Sequence, residues 1–299
     1  MNWLSKIKSD LRPLYRSEQT SLSRLLLLRI LTEINCFSYQ LKYWRLRQIT
    51  RKKFDEMRKN KAENVFVFAN GPSLSCIDFS KIKSLIDCGE FDLIVVNNFA
   101  SKVIEKYDIT PTLGVFADPV HYGERPEVKG SFDKDISVMN DRNIPAMVPY
   151  RYYDKSKFSN SVPYSGVRNV FRTNVSDLSK PLGYMYLSAL HALSSALYIG
   201  YENVYICGYD NSYFKSYGVD DDGSQFFQDE HFYDAKVGRR YLPESQYGPT
   251  SFVFYDTYRH FKYLEKVQRY ASSDIGIKNI AKMTYTNSFE RDFSLNVYK

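Results

Sequence analysis

The sequence predicts an α/β domain with a largely parallel sheet and helices on both faces, preceded by a basic helical segment. Three observations carry this. Over residues 63–299, short apolar runs of strand length alternate with longer stretches of helical spacing. Hydrophobic residues make up 43% of a 299-residue chain, which suffices for a sizeable core and excludes a disordered chain. Charge is segregated: residues 1–60 hold 14 Lys+Arg against 5 Asp+Glu, a net of +9, whereas the other 239 residues hold 27 against 29, a net of −2.

Residues 1–62 read as a basic, amphipathic helical extension. Leu22, Leu25, Leu26, Ile30 and Ile34 recur at helical spacing, and Tyr39, Tyr43 and Leu46 do so less cleanly. Arg24, Arg29, Lys42, Arg45, Arg47, Arg51, Lys52 and Lys53 supply the charge. Such a helix either lies among lipid headgroups, where each cation adds about 1 kcal/mol at an anionic surface, or packs on its own domain or a partner subunit. The run Leu25-Leu26-Leu27-Leu28 is broken by Arg29 and falls far short of the roughly 20 apolar residues of a membrane span. No secretory signal pattern is seen. The expected location is therefore cytoplasmic and peripheral to the inner face of the cell membrane, with homo-oligomerisation left open.

The main domain is expected over residues 63–299. A strand over 65–68 leads into Asn70-Gly71-Pro72-Ser73-Leu74. A second over 93–96 ends in Asn97-Asn98, and a third over 113–116 ends in Ala117-Asp118-Pro119. A fourth strand is expected over 146–149, and a helix over 184–199 stopped by Gly200. A strand over 204–207 then ends in Gly208-Tyr209-Asp210. The stretch 211–250 is long and rich in Tyr, Gly, Asp and Ser, and reads as a lid. A helix near 252–271 and a strand around 278–284 complete the domain, followed by Tyr285-Thr286-Asn287-Ser288. No internal repeat is present.

Asn70, Asn97, Asn98, Asp118 and Asp210 thus stand at the ends of four strands. Ligands of open parallel sheets bind at the carboxyl ends of the strands. Asn and Asp also cap helices and shape turns, which accounts for any one position better than for the coincidence. Within the first turn, Gly71 allows close backbone approach and Pro72 suits a first helical turn. Ser73 adds a hydroxyl where free N–H groups would hold a phosphate. The turn is neither a Walker A loop nor a dinucleotide fingerprint.

Other classes find less support. Cys36, Cys76, Cys88 and Cys207 form no C-x-x-C pair, so no zinc or redox motif is suggested. Asp220-Asp221-Asp222 offers oxygen ligands for a divalent ion, but its Gly-flanked setting reads as a solvated turn. Positive charge confined to one segment argues against a nucleic-acid enzyme.

In these residues the chain resembles the bacterial sialyltransferases of glycosyltransferase family 42. Asn70 to Leu74 is similar to the family's Asn-Gly-Pro-Ser-Leu turn, and Asn97 to the Asn ending its second strand. Phe116-Ala117-Asp118-Pro119 resembles Phe-x-Asn-Pro, and the stretch from Gly200 to Asp210 resembles Gly-Tyr-x-x-Ile-Tyr-x-x-Gly-x-Asp. Thr286-Asn287-Ser288 resembles a C-terminal Pro-Asn-Ser. The matches keep their order over roughly residues 65–290.

The resemblance implies a Rossmann-like single domain of variant GT-A type. It implies a CMP-activated sialic acid or related nonulosonate as donor, no cofactor, no metal, and inversion at the anomeric carbon. The acceptor would be a sugar hydroxyl of a surface glycan such as lipopolysaccharide or capsule. Asn70, Gly71, Pro72, Ser73, Asn97, Asp118 and Asp210 would bind the donor. His231 is the first candidate for the base and His121 the second, because neutral imidazole accepts a proton near pH 7. Tyr213 and Tyr217 would stabilise the leaving phosphate. Departures are plain: Asp118 stands for the family's Asn, and the family's catalytic His falls on Ala235. Two other readings stay open, a catalytically silent glycan-assembly subunit and a pterin or nucleotide pyrophosphokinase sharing the Asn-Gly-Pro-Ser turn.

Overall fold

In the computed structural model, the structure describes residues 22–123, 132–167, 169, 171, 172, 174–183, 187–229, 238–242, 250–271 and 275–299. The apolar runs form strands β1 (Asn64–Phe68), β2 (Phe91–Val96), β3 (Leu113–Val115), β4 (Ala146–Pro149), β5 (Ser161–Tyr164) and β6 (Asn203–Cys207). A hairpin region adds β7 (Tyr217–Val219), β8 (Gln225–Asp229) and β9 (Gly238–Tyr241). The chain then forms β10 (Gly276–Asn279) and β11 (Glu290–Arg291). The helices are α1 (Leu22–Lys42), α2 (Trp44–Lys59), α3 (Phe79–Asp87), α4 (Phe99–Tyr107), α5 (Phe132–Asp141), α6 (Ser188–Ile199) and α7 (Thr250–Ala271).

Eight strands make one parallel sheet in the order β11-β10-β6-β1-β2-β3-β4-β5. Successive side chains of a strand point to opposite faces, so a sheet covered on both sides needs apolar residues at every position. The central strands meet that demand. Val65, Val67, Ile94, Val96, Val204 and Ile206 pack with α2, α6 and α7. Phe66, Phe68, Leu93, Val95, Tyr205 and Cys207 pack with α3, α4 and α5. This is the expected α/β, Rossmann-like architecture. The chain steps outward from β1 to β5, and α6 then carries it back to β6 on the other side of β1. The order of the strands therefore reverses between β1 and β6, the position at which sheets of this kind form a ligand crevice at the carboxyl ends.

Several expected boundaries move. The helix before Gly200 runs over Ser188–Ile199, with 184–186 outside the described residues. The strand expected around 278–284 is Gly276–Asn279. β5 carries Pro163, which an edge strand accommodates because one side of it makes no ladder bonds. The stretch 211–250 is not a structureless lid. It holds a 3₁₀ turn over Tyr213–Lys215 and the antiparallel sheet β7-β8-β9.

The boundary expected at residue 62 also fails, because α2 is core. Thr50 and Phe54 are fully buried on it. Thr50 Oγ1 lies 2.7 Å from the Pro163 carbonyl oxygen and 2.8 Å from the Tyr150 hydroxyl. Arg47 Nε donates to the Ser179 carbonyl at 3.1 Å, and Arg58 Nη2 to the Tyr198 carbonyl at 2.7 Å. Tyr39 and Tyr43 face inward, onto Tyr150. Among the described residues no helix is long and apolar enough to cross a membrane.

Candidate functional site

The turns after β1 and β6 pack closely against each other. Gly71 N–H donates to the Gly208 carbonyl at 3.0 Å, and Ala69 N–H to the Cys207 carbonyl at 2.9 Å. A Cβ on Gly71 would stand 2.3 Å from Asp210 Oδ2 and 2.4 Å from the Gly208 carbonyl oxygen. Gly71 is therefore glycine because another chain segment occupies its side-chain space, and not to admit a ligand. Gly208 has φ +75°, and its Cβ would meet the Ala69 carbonyl oxygen at 2.5 Å.

This contact corrects the reading of Ser73. Pro72–Cys76 is a five-residue 3₁₀ turn rather than an α-helix, and the N–H of Ser73 already has an anion. Asp210 Oδ2 accepts it at 2.8 Å, while Ser73 Oγ accepts Gly208 N–H at 3.2 Å. Ser73 is buried and structural, so a phosphate does not find its donors there. The Tyr209–Asp210 segment is held from behind by the loop after β10. Thr286 Oγ1 donates to the Tyr209 carbonyl at 2.7 Å, and Thr284 Oγ1 does so at 3.0 Å. From below, the C-terminus straps the 3₁₀ turn: Asp78 N–H donates to the Val297 carbonyl at 2.8 Å and Lys299 N–H to the Cys76 carbonyl at 3.1 Å.

The register puts Phe68 beside Val95 and Cys207. Asn70, Asn97 and Tyr209, each two residues further on, leave the sheet at one level. Neighbouring strands lie about 4.8 Å apart, so these three ends span about 10 Å. Here buried polar atoms go unmatched. Among the described residues, Asn70 Oδ1, Asn97 Oδ1, Asn98 Oδ1 and Asp210 Oδ1 have no hydrogen-bond partner, and neither does Asn211 Nδ2. A buried unmatched polar group costs about 1–3 kcal/mol, so a cluster of them marks a place built for something else. Four of the five are acceptors.

The individual side chains sort as follows. Asn97 and Asn211 take left-handed backbone angles, φ 46° and 54°, which asparagine tolerates better than most residues. Asn97 Nδ2 donates to Ser188 Oγ at 3.3 Å, which orients its oxygen. Asn98 precedes α4 but makes no side-chain cap, contrary to the capping alternative. Asp118 does cap: its Oδ1 accepts Val120 N–H at 3.1 Å. Asp210 is buried, and loss of solvent raises its pKa against the opposing Ser73 bonds.

His121 follows β3 and is buried edge-on to Phe116. Burial lowers its pKa, so the ring is neutral near pH 7. Its Nδ1 lies 3.2 Å from the Asp118 carbonyl oxygen. A carbonyl only accepts, so Nδ1 carries the proton and Nε2 the basic lone pair. His231 lies outside the described residues. Tyr213 opens the 3₁₀ turn after Asp210, and its side chain lies outside them too. Tyr217 is on β7 with its ring against Phe227, a packing role.

No protein-family model matches the chain, and no curated protein matches it.

Two residues of this region escape sequence reasoning. Asn211 repeats at β6 the polar doublet seen in Asn97-Asn98, a signal that was available. Lys215 places its ammonium 4.7 Å above the ring of Tyr285, whose N–H donates to the Asp210 carbonyl. That puts a cation near the crevice rim, and no spacing rule announces it. Asp220-Asp221-Asp222 forms the β7–β8 turn: Asp220 receives Arg239 and the Tyr241 hydroxyl, each at 2.7 Å, and Asp222 receives Ser224 N–H. Among the described residues no three His, Cys, Asp or Glu side chains converge on one point. An open depression of about 260 Å³, lined by residues that include Met57, Thr112 and Pro145, lies at the amino ends of the strands, opposite the crevice.

Proposed function

We propose that this chain is an inverting glycosyltransferase, peripheral to the inner face of a cell membrane, that moves a sialic acid or related nonulosonate from a CMP-activated donor to a sugar hydroxyl of a surface glycan. The observation that carries this reading is the row of acceptors at the ends of β1, β2 and β6: Asn70 Oδ1, Asn97 Oδ1, Asn98 Oδ1 and Asp210 Oδ1. Acceptors call for a ligand rich in donors. A cytosine amine and ribose hydroxyls are such donors, whereas a bare phosphate is not. The nucleoside half of the donor therefore sits on the strand ends, and its phosphate extends toward the rim carrying Tyr213 and Lys215.

The reaction is one in-line displacement. The acceptor oxygen bonds to the anomeric carbon as the bond to the phosphate oxygen breaks, CMP leaves with the electron pair, and the hydroxyl proton passes to an imidazole. His121, the second candidate from the sequence, meets the chemical requirement, being neutral with its lone pair on Nε2; His231, the first candidate, stays open as the base. The sequence resemblance supports the donor class, and the strand-end chemistry supports a nucleoside in that place.

Calorimetry with CMP, UMP, GDP and ADP, each with and without EDTA, tests the reading. CMP is expected to bind selectively and in the presence of EDTA, and Asn70→Ala to weaken it about tenfold, the loss of one or two hydrogen bonds. Equal affinity for all four nucleotides sinks the CMP reading. Binding of ADP only with a divalent ion points to a pyrophosphokinase, and no nucleotide binding points to a silent assembly subunit.

A further inference from the structure

α1 buries one side and exposes another that is equally apolar. Leu28 and Cys36 are buried, and Tyr39 and Tyr43 turn toward Tyr150. On the far side Leu27, Ile30, Ile34, Phe37, Leu41 and Trp44 follow at strictly alternating steps of three and four residues. They are 49% to 62% exposed. Their spacing places all six on one stripe, continuous across the break between α1 and α2.

The charges beside the stripe decide what covers it. Arg24, Arg29, Lys42 and Arg45 are all exposed. The one acidic residue of α1, Glu33, is held by Arg172 and Asn169, each at 2.7 Å. A second copy laid on the stripe would bring cations against cations in either orientation, because both ends of the helix are positive. Anionic lipid headgroups complement both ends. Leucine, isoleucine, phenylalanine and tryptophan between flanking cations are the composition of a helix lying in the headgroup layer.

The direction of α1 adds a consequence. α2 runs down β5 from its carboxyl end, where Thr50 meets Pro163, toward its amino end, where Lys53 Nζ donates to Asn160 at 3.2 Å. α1 precedes α2, and so departs from the carboxyl end of the sheet. Its own contacts are there, at Tyr150 just after β4 and at Asn169 and Arg172 beyond β5. That is the end holding Asn70, Asn97 and Asp210.

We infer that the outer stripe of α1 docks on an anionic bilayer and holds the crevice end of the sheet at headgroup level, so that the acceptor is a glycan attached to a lipid of that membrane. The acceptor clause rests on the glycosyltransferase reading; the docking does not.

The test is flotation of the full chain with phosphatidylcholine vesicles, with and without phosphatidylglycerol, alongside sedimentation velocity. The protein is expected to float only with the anionic vesicles and to be released by salt. The surface variants Ile30→Glu with Phe37→Glu, and Arg24→Glu with Arg45→Glu, should each lower binding at least about tenfold. In a Trp3→Phe chain, brominated lipids should quench Trp44. Absence of flotation, or flotation unchanged by Ile30→Glu with Phe37→Glu, overturns the docking. A dimer that this variant splits gives the stripe to a second copy and overturns it equally. CMP affinity, measured by calorimetry on the same variants, should not move; loss of CMP binding by the unaltered chain would end the transferase reading while leaving the vesicle result intact.

Discussion

Gly71 and Asp210 lie 139 residues apart in the chain and share one small volume. The carboxylate of Asp210 sits where a Gly71 side chain would be, takes the Ser73 N–H with one oxygen, and leaves the other oxygen among the crevice acceptors. One residue thus closes the turn and equips the crevice. Gly71→Ala should force the two turns apart. An expected loss of more than about 2 kcal/mol in denaturant unfolding follows from inserting a methyl group with no room to relax, and CMP binding should fall with it. A variant of unchanged stability and affinity would show that the contact between the turns is loose. At this scale the sequence was half legible. Asn70, Asn97 and Asp210 announce themselves by standing at strand ends. The true partner of Ser73 does not, because which N–H a carboxylate reaches depends on the pairing of β1 with β6 in the sheet.

Among the elements, α2 most changes the picture drawn from composition. Its sequence, WRLRQITRKKFDEMRK, is dominated by charge and reads as part of a detachable basic extension. Thr50 and Phe54 nevertheless anchor it in the core between β5 and α6, while the cations stay outside and Arg47 and Arg58 reach the carbonyls of Ser179 and Tyr198. Phe54→Ala is expected to cost about 3–5 kcal/mol, the usual range for emptying a fully buried phenylalanine site. Chemical denaturation followed by circular dichroism measures it; a cost below about 1 kcal/mol would restore the view of α2 as an appendage. The small sheet β7-β8-β9 was hidden for a different reason. Its strands are short and half polar, so neither a continuous apolar run nor clean alternation marks them. β5 was hidden by its proline.

For the molecule as a whole, the buried carboxylates shape stability against pH. Asp135 is fully buried at the start of α5, accepting Ser101 N–H with Oδ1 at 3.0 Å. Burial pushes its carboxyl up to about 6 from an ordinary 3.8. Between those values the native state binds more protons than the unfolded state, so this group makes the unfolding free energy fall as pH rises through the window. The penalty is fully present above about pH 6 and absent below about pH 4. Asp135→Asn keeps the acceptor for Ser101 and removes the charge. It should be more stable than the parent at pH 7, by on the order of 1–3 kcal/mol, with the advantage vanishing toward pH 4. Thermal unfolding of both chains across that range is the check, and a variant less stable at pH 7 would contradict a buried, strained carboxylate.

The sequence by itself determined the α/β class, the positions of the central strands and the polar residues at their ends. Each of these is local: an apolar run of four to six residues bounded by turn residues reads as a strand buried on both faces, and the polar residue after it ends the strand. It also determined that the positive charge gathers in the first 60 residues. Only the tertiary structure decided that β1 and β6 are neighbours, that Asp210 rather than a ligand satisfies Ser73, and that α2 is core. It also decided that the apolar stripe left uncovered runs from Leu27 on α1 to Trp44 at the start of α2. Those outcomes depend on which surfaces meet, and side chains distant in sequence decide that by filling, or failing to fill, the same space.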